Sequence, residues 1–410
     1  MTALLVASFL TLALWIAACA AAADAWARFP RLTANTYPGP PDPAPKVTVL
    51  VPARNEEESI GACLETLAAQ DYPNFEVVLI DDRSEDRTGE IGEALAARDA
   101  RFRVLRGADL PPGWAGKCHA LWQGVEATEG AYILMMDADA FARPRLLTQT
   151  VSDALARQAD LYTIDFEMTC ITFWEKVVQP FMAMLILLGF PREKVNDPKE
   201  KAAIAPGPFL LFRREAYLAI GGHAAMKEEV VEDMKLAQRI KETGRTLWMA
   251  SAPELFRTER RIGLKAIWHG WSRVFFTGVG GSVALAAAAF VGIAWFLLAP
   301  WILAPAALAH MGWHGWSDAW FALFALSAGT CLAFLALRRL LWVFYKLDRD
   351  WAILQPVAAM LALAMLVNSV IVGRFRKGSV VWRGRAYSGG ADAPPASRSD
   401  AASGATSSSR

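Results

Sequence analysis

A chain of 410 residues, 54% hydrophobic and 20% charged, carries a formal net charge of only +1, and its mean hydropathy of +0.25 is high for a wholly soluble protein. Near-neutral charge, with no basic stripe interleaved with aromatics, argues against nucleic acid as a partner. The five cysteines, Cys19, Cys63, Cys118, Cys170 and Cys331, form no C-x-x-C pair and no metal-ligand spacing, which argues against a disulfide scaffold and fits a reducing compartment.

In chain order, residues 3–23 are about 20 uncharged residues, long enough to span a bilayer. A signal peptide is the competing reading, but no basic residues precede the run, whereas Arg28 and Arg31 follow it. The positive-inside rule then makes residues 1–28 an uncleaved anchor and places the next domain in the cytosol. The proline-rich stretch PGPPDPAP within residues 29–45 suits neither helix nor central strand and reads as a stiff linker.

The block 46–278 opens with a β-branched strand at 47–51, then a loop and an amphipathic helix with Ile60, Leu64 and Leu67 on one face. FEVVLIDDRSEDRT repeats the pattern, with a strand at 75–80 ending in Asp81 and Asp82. A helix from Gly89 to Arg98, a strand at 102–105, a helix near 117–127 and a strand at 131–136 follow. This β-α-β-α-β-α-β order predicts an α/β domain with a mostly parallel, doubly wound sheet.

Acids cluster at the ends of these strands. Glu56, Asp82, Asp137 and Asp139 all fall at or just after a strand C-terminus, where open α/β sheets bind ligands. Asp137 and Asp139 are two residues apart, so an extended backbone points both to one face, within reach of one divalent cation. Mg2+ is commonly held by one or two carboxylates plus substrate phosphates. Neither a G-x-G-x-x-G fingerprint nor a Walker loop is present, which disfavours dinucleotide and P-loop chemistry. A carboxylate after the first or second strand can instead accept hydrogen bonds from a base or a ribose.

These residues together resemble the family 2 glycosyltransferases of the GT-A fold. The matching pieces are V-P-A-R-N-E at 51–56, D-D-R-S-E-D-R-T at 81–88, G-W-A-G-K at 113–117, D-A-D at 137–139, F-R-R-E-A at 212–216 with Gly221 and Gly222, and V-E-D at 231–233, in the family's order over about 230 residues. G-W-S-R-V-F-F-T-G at 270–278 is similar to the membrane-bound, lipid-modifying branch, which includes carotenoid- and hopanoid-associated enzymes and, further off, ceramide glucosyltransferases.

The resemblance implies that Pro52, Glu56 and Asp82 hold the uracil and ribose of a UDP-sugar, that Asp137 contacts the nucleotide or the metal, and that Asp139 ligates Mg2+ or Mn2+. It implies that Lys117 lies close to the donor and that Asp233 is the general base that deprotonates the acceptor hydroxyl in one inverting displacement. Glu232 and Asp233 also suit a helix N-terminus through the dipole alone. The family's Q/R-x-x-R-W signature is missing, and Arg273 is the candidate diphosphate or acceptor contact near that place. His119, His223 and His269 have no metal spacing and read as structural. Pro206 and Pro208 flank Gly207 where related enzymes carry flexible residues, so a stiffer acceptor loop is expected.

Within 169–197, about ten apolar residues around Phe181 to Phe190 are too few to span; a buried core helix is one reading, and a helix lying at the membrane surface, near 169–192, is favoured because the chain is already anchored there. Such a helix favours the bilayer as partner and a membrane lipid as acceptor.

Residues 279–375 read as about three spans, at 282–309, 319–337 and 351–373. Three crossings leave Arg374, Arg376, Lys377, Arg383 and Arg385 on the far side, against the positive-inside rule, while Arg338, Arg339, Lys346 and Arg349 are inside. A hairpin at 282–309 or a re-entrant segment would relieve this. V-W-R-G-R-A-Y, in the basic segment 376–387, resembles the cytosolic closing motif of ceramide-type enzymes and favours a cytosolic tail. Residues 388–410 are too polar and low in complexity to order. Two other functions fit less well. A polysaccharide synthase would need a conducting channel, which spans without intramembrane charge do not suggest, and a silent nucleotide-sugar-binding subunit would not need Asp137, Asp139 and Asp233 together.

Overall fold

The computed structural model describes residues 1–229, 231–259, 263–344, 351–375, 380–382 and 385–387. Lys346, Arg349, Arg376, Lys377, Arg383 and the tail at 388–410, on which expectations were placed above, lie outside the described residues. Helix α1 (Thr2–Arg28) comes first. The chain leaves it through a docked strap. Leu32 N–H donates to Ser251 O and Ser251 N–H to Pro30 O, both at 2.8 Å, and the Tyr37 hydroxyl donates to Asp153 Oδ1 at 2.7 Å.

Then follow β1 (Val47–Ala53), α2 (Ile60–Ala68), β2 (Phe75–Asp81), α3 (Thr88–Ala96), β3 (Phe102–Arg106), α4 (Gly116–Glu126) and β4 (Tyr132–Met136), each where periodicity places it. Beyond them lie β5 (Ala140–Ala142), α5 (Leu146–Ala156), β6 (Leu161–Asp165), β7 (Glu167–Met168), α6 (Phe173–Gly189), α7 (Arg192–Asn196), β8 (Phe209–Arg213), α8 (Arg214–Ala219), α9 (Glu232–Glu242), β9 (Leu247–Ser251), β10 (Phe256–Thr258) and α10 (Gly263–Gly278).

The main sheet has the order β3-β2-β1-β4-β8-β6-β9. Pairs β1–β2, β2–β3, β1–β4 and β6–β9 are parallel, and only β8 runs antiparallel, between β4 and β6. A three-stranded sheet, β5-β10-β7, sits beside it. Both faces of the main sheet are apolar, as helices covering a parallel sheet require. Val49, Val51, Val77 and Leu134 join one core with Ile60, Leu64 and Leu67 of α2. The intervening Leu50, Val78 and Ile133 join another with Leu121 of α4 and Leu236 and Ile240 of α9.

The membrane part comprises α11 (Val283–Gly292), a π-helical turn at Ile293–Leu298, α12 (Ala299–His314), α13 (Asp318–Phe344) and α14 (Gln355–Val370), followed by the short antiparallel pair β11 (Val380–Trp382) and β12 (Arg385–Tyr387). A third core joins α6 and α10 to these helices, with Val178, Phe181, Ile267, Ala362 and Phe334 all buried in it. α6 has 17 residues and starts well before the apolar run, because Glu175 caps it: Oε2 accepts Ile171 N–H at 2.7 Å and Thr172 N–H at 3.0 Å.

Candidate active site

The loops after β1 and β2 brace each other at one rim of the sheet. Asn55 and Arg83 both adopt left-handed backbone, with φ of 52° and 55°, a conformation uncommon outside glycine. Asn55 N–H donates to Ser84 Oγ at 3.1 Å, Glu85 N–H to Asn55 Oδ1 at 2.9 Å, and Glu56 N–H to Thr88 Oγ1 at 2.8 Å. Asp82 N–H donates to Ala53 O at 2.8 Å, and Pro52 is in register with Ile80. Pro52, Glu56 and Asp82 therefore lie on adjacent strand ends. Asp81, fully buried, is committed to structure: its Oδ1 accepts Ser84 N–H at 2.9 Å, and its Oδ2 is paired with Arg106.

Asp137 and Asp139 occupy the turn between β4 and β5, and the alternation expected of them is present. Ala138 and Ala140 are buried, while the two acids remain partly exposed on the other face. The Cys63 thiol lies behind them, 3.8 Å from Asp137 O. Burial, and then the charges of Asp139, Asp137 and Glu56, push that thiol far up, which puts all three acids in one neighbourhood.

Lys117, at the start of α4, joins this rim to α9. Its Nζ lies 2.9 Å from Asp137 Oδ1 and 3.2 Å from Glu232 Oε1. Burial alone would lower the ammonium, but Asp137, Glu232 and Asp233 outweigh it and hold Lys117 above its usual range. Asp233 is raised to about 6, by burial first and then by Glu232, against the lowering effects of Lys117 and the Met234 N–H. That N–H donates to Asp233 Oδ1 at 2.8 Å. On the other side, a Cβ added at Gly207 would sit 2.8 Å from Asp233 Oδ2.

The segment before α9 clamps the Lys117 loop. Ala115 N–H donates to Lys227 O at 2.6 Å, and the Cys118 thiol lies 3.5 Å from Met226 O and 3.6 Å from Glu229 O. His223 is fully buried, shares a 2.7 Å hydrogen bond with the Tyr217 hydroxyl, and is lowered to about 3 by burial and by Lys117. It is neutral at physiological pH, a structural histidine. His119 packs edge-on against Trp114 at 5.3 Å between ring centroids. Arg273 stands on α10, whose Trp271 Nε1–H donates to Gln179 Oε1 of α6 at 3.0 Å.

The structure thus brings together Glu56, Asp137, Asp139, Lys117 and Asp233, with Pro52 and Asp82 on the neighbouring strand ends, and puts Arg273 on the helix that meets the membrane part. The sequence reading did not foresee the roles of two residues. Glu232, read there as a dipole residue, is the second anchor of Lys117, and Gly207 leaves the space beside the Asp233 carboxylate that a side chain would fill. No local signal marks Glu232, because its partner is distant in sequence. A glycine between two prolines was the available hint for Gly207.

The donor set suits a hard divalent cation. Asp137 and Asp139 stand together just past the end of β4, and one Asp137 oxygen is engaged by Lys117. Among the described residues no three His, Cys, Asp or Glu side chains form a closed cage. Such a site needs substrate phosphate oxygens to complete the cation's shell, the usual situation for Mg2+.

Residues 48–221 match the model of the glycosyl transferase family 2. The chain is 27% identical over 241 residues to the 4,4'-diaponeurosporenoate glycosyltransferase of Staphylococcus aureus, a match that covers 58% of this chain and 62% of that protein, less than two thirds of its length. Among solved structures it is similar to a mannosyltransferase from Pyrobaculum calidifontis in complex with GDP-Man and Mn2+, with 18% identity and a TM-score of 0.54 over 91% of this chain and 99% of the other. With strand-end acids, a mostly parallel sheet and apolar helices before and after it, residues 48–221 form a domain that matches the glycosyl transferase family 2 model, built on the GT-A fold.

Proposed function

We propose that the enzyme moves a sugar from a nucleotide diphosphate, a UDP-sugar, to a membrane lipid of carotenoid, hopanoid or sphingolipid type, with inversion at the anomeric carbon and with Mg2+ or Mn2+ as cofactor. The observation that carries the reading is the Lys117 bridge. It ties Asp137, on the donor rim, to the helix turn that carries Asp233. A candidate donor acid and the turn that carries a candidate base therefore meet at one lysine.

Pro52, Glu56 and Asp82 would hold the base and ribose, and Lys117 and Arg273 would face the diphosphate. Asp139, with Asp137, would hold the cation, which when bound stabilises the negative charge that develops on the departing diphosphate. Asp233 would accept the acceptor hydroxyl's proton as the new C–O bond forms and the bond to the diphosphate breaks. With its ordinary value raised to about 6 it is ionised at neutral pH and more basic than an exposed aspartate.

A lipid acceptor is supported by the shared core of α6, α10 and the membrane helices, and by the name of the carotenoid-modifying relative. In a bacterial inner membrane the catalytic domain would face the cytosol, where nucleotide sugars are made. The test is to incubate the chain in detergent with Mn2+, a panel of nucleotide sugars and extracted lipids, and to read product masses. A glycosylated lipid that disappears when EDTA is added supports the reading, and no product with any donor refutes it.

A further inference from the structure

Among the described residues four helices are long and apolar enough to cross a bilayer: Thr2–Ala25, Val283–His314, Asp318–Arg339 and Ala352–Gly373. Their packing sets the last apart. α1 and α13 run side by side in one direction: Leu12 lies against Gly329, Trp15 meets Phe334 edge-on at 5.1 Å, and the Cys19 thiol donates to Ala333 O at 3.1 Å. α12 runs the opposite way, because only residues 315–317 separate it from α13, against which it packs, and the π turn ahead of it is fastened to α1 by Trp295 Nε1–H donating to Thr11 Oγ1 at 2.9 Å and Trp15 Nε1–H to Phe296 O at 3.0 Å. These three have the antiparallel arrangement of successive crossings.

α14 touches the π turn and α11 but lies chiefly along helices of the catalytic side. α6 leaves the catalytic domain and returns to it, so it cannot cross. α10 starts beside it, where Glu175 Oε1 accepts Gly263 N–H at 2.9 Å. Trp351, just ahead of α14, packs edge-on against Phe173 at the start of α6, with ring centroids 5.4 Å apart. Near the other end, Ser369 Oγ accepts Phe276 N–H at 2.8 Å, and a Cβ at Gly373 would meet the Phe276 ring at 2.6 Å, at the end of α10. The two ends of α14 therefore touch the start of one catalytic-side helix and the finish of another.

Its two faces differ. Ala358, Ala362 and Leu366 are buried in the core shared with α6 and α10. Ile353, Met360, Val367 and Ile371, at spacings of seven and four that share a helix face, are 65%, 52%, 43% and 42% exposed. One apolar stripe facing out, backed by protein, suits a helix lying in the plane of the interface.

Charge agrees. With three crossings, Arg28, Arg31, Arg338, Arg339, Arg374, Arg376 and Lys377 share the catalytic side, and the far connection between α12 and α13 carries no Lys or Arg. A fourth crossing would carry Arg374, Arg376 and Lys377 across, against the positive-inside rule.

We propose that α14 does not cross the membrane. It lies in the catalytic-side leaflet, and with α6 and α10 it forms a three-helix deck whose partner is the lipid surface. To test this, a fluorescent amino acid is placed singly at Ile353, Met360, Val367 and Ile371 of the full chain, in vesicles of phosphatidylethanolamine and phosphatidylglycerol, and its depth is read with lipids quenched at graded positions. All four sites should report the same shallow depth. A crossing helix would spread Ile353 and Ile371 over about 27 Å at 1.5 Å per residue, and that spread would overturn the proposal.

Should a label prevent insertion, epitope tags after Arg410 and at Gly315 decide the matter by protease protection in sealed vesicles. The C-terminal tag should be cleaved in the same vesicles as the catalytic domain while the Gly315 tag is protected, and a C-terminal tag protected together with the Gly315 tag would overturn it. Neither readout involves turnover, so this proposal and the assignment of the reaction fail separately.

Discussion

Replacing Gly207 by alanine adds one methyl group at a point that touches the candidate base. The new Cβ would stand 2.8 Å from Asp233 Oδ2, where ordinary contact begins at 3.4 Å, a shortfall of about 0.6 Å. The backbone at Gly207 is not left-handed, so the strain that alanine brings is the contact with Asp233 itself, which opposes the small gain from a narrower unfolded ensemble. The carboxylate has little room to yield, because its other oxygen is held by the Met234 N–H at 2.8 Å. A misplacement of about 1 Å can cost on the order of 10²-fold in rate, so G207A should lower kcat by about 10-fold or more. Donor KM should change little, since Glu56, Asp82 and Asp139 are untouched. Steady-state kinetics with one donor and one lipid, beside a thermal melt, measure both quantities. An unchanged kcat in a correctly folded G207A enzyme would show that Asp233 does not act through the oxygen facing Gly207.

Asp233→Asn should reduce kcat by about 10²- to 10⁴-fold, the usual contribution of a positioned base, and turnover within a few-fold of the parent would remove Asp233 from the chemistry. Because the folded value of Asp233, about 6, lies above its ordinary 3.8, activity should fall as pH drops through 6. By linkage, the stability this group contributes is complete below 3.8 and lost as pH rises through about 6, so the same variant should melt at a higher temperature at pH 7. Lys117→Met removes the cation that lowers Asp233, and should move the acidic limb of the pH–rate profile upward by about 1 unit or more while raising donor KM; an unmoved limb would refute the coupling. Glu175→Ala leaves three backbone N–H groups without their acceptor, and should cost about 2–3 kcal/mol, read as a lower melting temperature in detergent.

The first half of the catalytic sheet was legible in the sequence because its strands are β-branched runs buried on both faces, and alternation alone placed Asp137 and Asp139 on one side. β8 was not, since nothing local tells an antiparallel insertion from another parallel strand. α6 falls inside the interval 169–192 read for it, and T-x-x-E at Thr172 to Glu175 marks its start. The partner of Lys117 was hidden for another reason: Glu232 meets it only once α4 and α9 pack on the same sheet face, a tertiary outcome that no window of sequence contains. Hydropathy likewise counts α14 among the spans, because apolar content is the same whether a helix crosses lipid or rests on it.

The strap after α1 has a mechanical consequence. Only a few residues separate Arg28 from the point where Leu32 and Pro30 bond to Ser251, and the Phe29 ring lies 4.5 Å beneath the Arg192 guanidinium. A domain fastened this close to its stem cannot sweep over the bilayer like a float on a cord. Its candidate site keeps one stand-off height and one azimuth, and for the lipid acceptor proposed above this means that the reacting group would travel to the enzyme, with the tolerated length of its polar end set by that height.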